Sequence, residues 1–186
     1  MRPTTLCFPV NEKGEILLGR KKRGFGVAKW NGFGGKIEAG ETFRQCAVRE
    51  LREETGLIAK EEDLDLVAFL DFKFVASPEL DHIGYVYFLR TYEGTPQESE
   101  EMEPKWFAVD QFPYDEMWKG DRTWIPEILA GRTIKGTIHF ASNNEDVAYL
   151  HTEDVKVLIE HEVSLRNLGQ SNMDDTYCSS RGSREE

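Results

Sequence analysis

Residues 42–57 specify a helix at both of its ends. Thr42, with Gln45 three residues on, makes a capping box. Gly56 suits the left-handed residue that ends a helix, and Leu57 the apolar contact beyond it. Between them Phe43, Ala47, Val48 and Leu51 form an apolar stripe at helical spacing. Glu50, Glu53 and Glu54 stand at i, i+3 and i+4, so they share one face of that helix. At about 100° per residue this face borders the stripe rather than opposing it. The three carboxylates are therefore expected to wall a cleft at the edge of the core.

Clustered carboxylates repel. Like charges at i,i+4, as at Glu50 and Glu54, destabilise an isolated helix by ~0.2–0.5 kcal/mol per pair. A hard divalent cation relieves the repulsion, because Mg²⁺ is held by oxygen ligands. Gly32-Phe33-Gly34-Gly35 precedes the helix, and its glycines permit close backbone approach to an oxyanion. Lys36 adds a positive charge there. The stretch is expected to form a metal and pyrophosphate site. Arg-Glu-Leu-Arg-Glu-Glu alone reads more simply as a solvated helix face. The longer spacing of Gly35, Glu41, Arg49, Glu50, Leu51, Glu53, Glu54, Gly56 and Leu57 argues otherwise, matching by chance on the order of one start in a billion.

A net charge of −11 disfavours duplex nucleic acid as a partner, although metal ions would still admit a small phosphorylated ligand. Cys7, Cys46 and Cys178 lack metal or redox spacing and fit a reducing compartment. Neither a signal-peptide core nor an apolar run near ~20 residues is found, so a cytoplasmic chain without membrane contact is expected.

The remaining pattern predicts an α/β domain over residues 1–157. Thr4 to Val10 reads as a strand that Pro9 demotes towards an edge, followed by the turn Asn11 to Gly14 and a second strand over Glu15 to Gly19, together a hairpin. The basic run 20–23 is a candidate phosphate contact. Strands follow at Leu64 to Val75, Ile83 to Tyr92 and Lys105 to Val109. A helix is predicted over Trp124 to Leu129 with Pro126 in its first turn, then a hairpin of Thr133 to Ala141 and Asp146 to His151. Val155, Leu158, Ile159 and Val163 suggest one more helix. Residues 158–186 form an extension whose part from Gly169 is expected to be disordered, with Cys178 incidental to function.

Gly35 to Leu57 resembles the Nudix box at every fixed position. The resemblance implies a single-domain Nudix fold, a mixed β-sheet sandwiched between α-helices, and Mg²⁺-dependent attack of water on a nucleoside diphosphate derivative, with Mn²⁺ able to replace Mg²⁺. It implies Glu50, Glu53 and Glu54 as metal ligands, Arg49 as the group orienting a glutamate, and Glu41 as support for the loop. Glu53 or a loop carboxylate would be the general base.

Lys21 to Gly26, Lys29 to Lys36, Gly94-Thr95-Pro96, Glu101-Met102, Trp106-Phe107 and Met117-Trp118 further resemble the branch acting on oxidised purine nucleoside triphosphates, over about Thr4 to Val155. That branch releases pyrophosphate from 8-oxo-dGTP and 2-hydroxy-dATP, sanitising the nucleotide pool, and a monomer is expected. By resemblance Asn31 reads the purine edge, Trp118 stacks on the base, and Phe25 and Phe72 line the pocket. Thr5, Lys21, Phe33, Gly35 and Lys36 lie near substrate, and Gly34 and Glu101 join the metal shell. Where that branch has paired aspartates this chain has Gly120-Asp121, which leaves Asp121 as the one base-reading carboxylate. Alternatives within the fold are a dinucleoside polyphosphate, an ADP-sugar or a methylated purine nucleotide as substrate. A non-catalytic nucleotide-binding module is the alternative of another class.

Overall fold

The computed structural model describes residues 2–160. Eight strands and two α-helices follow in the order β1 (Arg2–Pro9), β2 (Ile16–Lys21), β3 (Trp30–Asn31), α1 (Phe43–Thr55), β4 (Leu64–Phe74), β5 (His82–Leu89), β6 (Met102–Phe107), α2 (Asp121–Leu129), β7 (Ile134–Phe140) and β8 (Val147–Asp154). Five strands form a mixed sheet in the order β1-β5-β4-β7-β8, parallel at β1/β5 and β4/β7 and antiparallel elsewhere. A smaller antiparallel sheet has the order β3-β2-β6.

Alternation along β5 explains the layering. Tyr85, Tyr87 and Leu89 pack with Phe43, Ala47 and Leu51 of α1, while Val86 and Phe88 pack with Trp124, Ile125 and Ile128 of α2. A strand sends successive side chains to opposite faces, so one strand supplies both cores. The result is the α/β/α sandwich expected. The helix α1 has both predicted ends: Thr42 accepts from the Gln45 backbone N–H while Gln45 answers, and Gly56 adopts φ +76°.

Three local expectations need correction. First, β1 and β2 do not form a hairpin. They share only the Val10–Ile16 bridge and enter different sheets. The free edge of β1 is taken by the glycine loop, through Cys7 and Phe33 exchanging both backbone bonds (2.6 and 2.9 Å) and Thr5 N donating to Gly35 O at 3.0 Å. Second, α2 starts at Asp121, which puts Pro126 inside the helix rather than in its first turn. The early start is fixed by the Asp121 carboxyl, which accepts from Trp118 N (3.2 Å) and from the Trp124 indole (3.1 Å). Third, residues 155–160 carry no helix. They cross back to α1, where Glu160 pairs with Arg44 at 2.9 Å and Tyr85 donates to Ile159 O at 3.3 Å. Val163, Cys178 and the expected disorder from Gly169 lie outside the described residues.

Replacing Thr42 by Ala leaves the Gln45 backbone N–H at the start of α1 without its partner and should cost about 1 kcal/mol. A urea unfolding series measures it, with an unchanged m-value expected.

Candidate active site

The site is built where α1 faces the loop pinned to β1. Two absent side chains make room. A Cβ on Gly34 would stand 2.0 Å from Thr5 O, and one on Gly35 would stand 2.2 Å from Glu50 Oε1. With glycine at both, the backbone passes between β1 and α1, and Gly34 N donates to Glu54 Oε2 at 2.9 Å.

Arg49 organises the carboxylates. Its Nε and Nη2 bind the two oxygens of Glu41 at 2.7 and 3.0 Å, a bidentate pair. Nη1 reaches Glu50 at 2.9 Å and Glu53 at 3.4 Å, and Nη2 reaches Lys36 O at 3.3 Å. The helix face is graded in exposure. Glu54 is buried, Glu50 half-buried and Glu53 exposed, as a face bordering the core requires. Burial pushes the Glu54 carboxyl up to about 8, opposed by the Gly34 hydrogen bond and reinforced by the charge of Glu50. Burial also raises Glu50, and the Arg49 guanidinium opposes that rise.

Glu101 lies on the acidic loop before β6, and its charge reaches both Glu50 and Glu54. Ser99 Oγ accepts from Glu101 N and Met102 N at 3.3 and 3.1 Å, shaping this loop. Lys22 docks it, with Nζ on Glu98 (2.7 Å) and Ser99 O (2.8 Å) and its N–H on Glu101 O (2.8 Å). Arg23 pairs with the Glu101 carboxylate. Half of the basic run 20–23 thus mounts the acidic loop. Lys21 instead directs its charge at Glu54.

The donor set fits a hard cation. Carboxylate oxygens dominate it, and the buried Glu54 carboxylate has one backbone donor and like charges as neighbours, so a divalent ion would stabilise its ionised form. Among the described residues no acidic, His or Cys triplet is pre-assembled at metal-holding spacing. The chain's own guanidinium groups hold Glu50 and Glu101 instead.

Beyond the carboxylates stands an aromatic cluster. Phe25 stacks on Trp118 at 4.9 Å between centroids and lies edge-on to Phe74 at 6.0 Å. Trp118 meets Phe140 edge-on at 6.0 Å, and Phe74 stacks on Phe140 at 4.6 Å. Phe72 joins through His82, at 4.7 Å. Asp121 lies under Trp118, and burial pushes its carboxyl up to about 7 against the hydrogen bonds from Trp124 and Trp118.

The remaining expected residues divide into two groups. Asn31 is half-buried on β3, and its Oδ1 accepts from Gly32 N at 3.0 Å. Lys36 is exposed at the mouth of the loop. Phe33 and Thr5 face inward. Phe33 is fully buried beside Leu17 and Met102, and the Thr5 hydroxyl meets Cys46 Sγ at 3.4 Å. Sequence reasoning missed Lys29, whose ammonium stands 4.9 Å from the Trp118 ring centre. Its place two residues before Asn31 was the available signal.

Two outcomes follow. Gly35→Ala should displace Glu50 and weaken Mn²⁺ binding, read by electron paramagnetic resonance of the free ion, while α1 keeps its circular dichroism. The raised Asp121 carboxyl favours the protonated form in the folded state, so its contribution is full below the usual value of 3.8 and is lost as pH rises towards about 7. Asp121→Asn should remove that part of the slope, at most about 1.4 kcal/mol per pH unit, in unfolding curves taken between pH 4 and 8.

Comparison with known proteins agrees with this geometry. The NUDIX domain model matches residues 1–128. A zebrafish (Danio rerio) protein named oxidized purine nucleoside triphosphate hydrolase is 42% identical over 145 residues, 78% of this chain and 90% of that protein. Its mouse (Mus musculus) namesake is 43% identical over 134 residues, 72% and 84% of the two chains. The crystal structure of a MutT protein from Bacillus halodurans superposes with a TM-score of 0.71 at 24% identity, covering 82% of this chain and 98% of that one, which bears on the fold alone. None of the described helices is long and apolar enough to cross a membrane. With its box intact and the family model matching more than half its length, the chain belongs to the Nudix hydrolases, typically divalent-metal-dependent enzymes.

Proposed function

We propose that the chain hydrolyses oxidised purine nucleoside triphosphates, such as 8-oxo-dGTP or 2-hydroxy-dATP, to the monophosphate and pyrophosphate. The observation that carries this reading is a carboxylate face joined to an aromatic pocket. Lys21, whose charge acts on Glu54, is hydrogen-bonded through its backbone to Lys29, whose ammonium stands over Trp118. The zebrafish and mouse relatives bear the name of this activity along most of their length.

Glu50, Glu53, Glu54, Glu101 and the Gly34 carbonyl would hold Mg²⁺, or Mn²⁺ in its place. When bound, the ion neutralises the diphosphate and lowers the pKa of water. Glu53 would take the proton of the attacking water, a reading supported by its exposure on the helix face. Arg49 keeps Glu50 oriented through the charge-assisted contact at 2.9 Å. Lys21 and Lys36 offer positive charge to the phosphates. Trp118 provides a stacking surface, Phe25 and Phe72 border it, and Asn31 and Asp121 read the purine edge. Thr5, Phe33 and Gly35 hold the loop in place from behind. All these residues come from one chain, so a monomer suffices, and residues 1–157 contain the whole site.

Pyrophosphate release with Mg²⁺ across natural, oxidised and methylated purine triphosphates, dinucleoside polyphosphates and an ADP-sugar tests the proposal. The oxidised purine triphosphates should be the best substrates. A higher kcat/KM for a dinucleoside polyphosphate or ADP-sugar would overturn the assignment. Glu53→Gln should lower kcat by about a hundredfold or more without moving the unfolding midpoint. Near-wild-type turnover in that variant would remove Glu53 from the chemistry.

A further inference from the structure

Lys29 occupies a position that the expected site residues do not explain. Its carbonyl accepts from Lys21 N at 3.0 Å and so continues the ladder between β2 and β3. In that extended stretch Trp30 turns into the core, and Lys29 and Asn31 flank it on the opposite side. The ammonium stands 4.9 Å from the Trp118 ring centre, and its charge acts on the Asp121 carboxyl. Two residues assigned to the base, Trp118 and Asp121, thus meet one cation, and a third, Asn31, shares its side of the strand. Its partner at the pocket rim is Glu145 of the β7–β8 turn, 3.7 Å away and half exposed, a long and solvent-screened pair that is readily exchanged.

The hydrogen-bonding character of this pocket leans towards donors. Position 120 is glycine, and a Cβ there would face Ile138 at 3.4 Å rather than the pocket's polar groups. Asp121 already accepts at both oxygens, from Trp118 N and the Trp124 indole, and with its carboxyl raised by burial it offers a base its proton rather than a further acceptor. Lys29 contributes an ammonium, which has donors and no acceptor. A site of that kind matches a purine edge bearing oxygen and mismatches one bearing an amino group.

We propose that Lys29 is a specificity-determining residue, its ammonium moving from the Trp118 ring to the edge of a purine that stacks there and donating to the oxygen at C6, so that oxidised guanine nucleotides are preferred over oxidised adenine nucleotides. This rests on the purine reading of the site. 8-oxo-dGTP and 8-oxo-dATP differ at C6 and also at N1 and C2, so the change in their ratio on replacing Lys29, rather than the ratio itself, reports on the contact at C6.

The experiment measures kcat and KM for both nucleotides with the wild-type protein, Lys29→Met, Lys29→Arg and Glu145→Gln. Lys29→Met keeps the side-chain length and should raise KM for 8-oxo-dGTP about tenfold or more, with kcat and the 8-oxo-dATP values little changed. Lys29→Arg should restore most of the preference. Glu145→Gln, which leaves the ammonium free, should keep it. Equal losses on both nucleotides, an unchanged ratio in Lys29→Met, or a Glu145→Gln variant that behaves like Lys29→Met would each overturn the role, the last by making Lys29 a strut. A wild-type protein that hydrolyses neither nucleotide would instead refute the purine reading, and Lys29's role with it.

Discussion

The backbone pairing of residues 33–35 with the edge of β1 is the constraint on which the site depends. It blocks a β1–β2 hairpin, so the two strands enter different sheets. It also fixes the height of the glycine loop over α1. Gly34 then meets Thr5 on one side and Glu54 on the other, and Gly35 lies against Glu50. Each of these contacts is made by backbone or by a side chain rooted in a helix whose inner face is packed in the core. The floor of the cleft is therefore preorganised before any ligand arrives, which is what electrostatic catalysis asks of a site.

Charge is balanced locally within this acidic protein. Arg49 serves Glu41, Glu50 and Glu53 from one guanidinium, and its bidentate contact with Glu41 ties the loop end to the helix. Its own proton is held more tightly than usual, chiefly by Glu41. Lysine in its place could not span these partners, since an ammonium lacks the planar fork. Glu54 lacks such a partner and is held high by burial.

What the sequence made legible was local. The caps of α1, the graded carboxylate face and the β7–β8 hairpin follow from neighbours within a few residues, where spacing and turn chemistry act directly. What it hid was non-local. On one edge β1 pairs with β5 and on the other with a loop some thirty residues on, choices no alternation pattern in Thr4 to Val10 encodes. The extra turn of α2 depends on Asp121 meeting a tryptophan on each side. The apolar spacing after Val155 matched a helix, yet the segment is drawn out by Arg44 and Tyr85, which lie far away in sequence. Within the site, local spacing puts Lys29 on the side of Asn31, but nothing nearby in the sequence encodes that Trp118 meets it there.

One difference in mounting sets the carboxylates apart. Glu50 and Glu54 are held by half-buried or backbone contacts, whereas the Glu101 carboxylate is held by an exposed ion pair with Arg23, its backbone alone being fixed by Lys22 N–H. Mobile ions screen exposed pairs far more than buried ones, with a Debye length of about 8 Å at physiological ionic strength. Ionic strength therefore acts most on Glu101 and on the exposed Glu53, and least on Glu50 and Glu54. Within one cleft, two carboxylates keep their place whatever the solution, and two exchange their partners as dissolved salt rises.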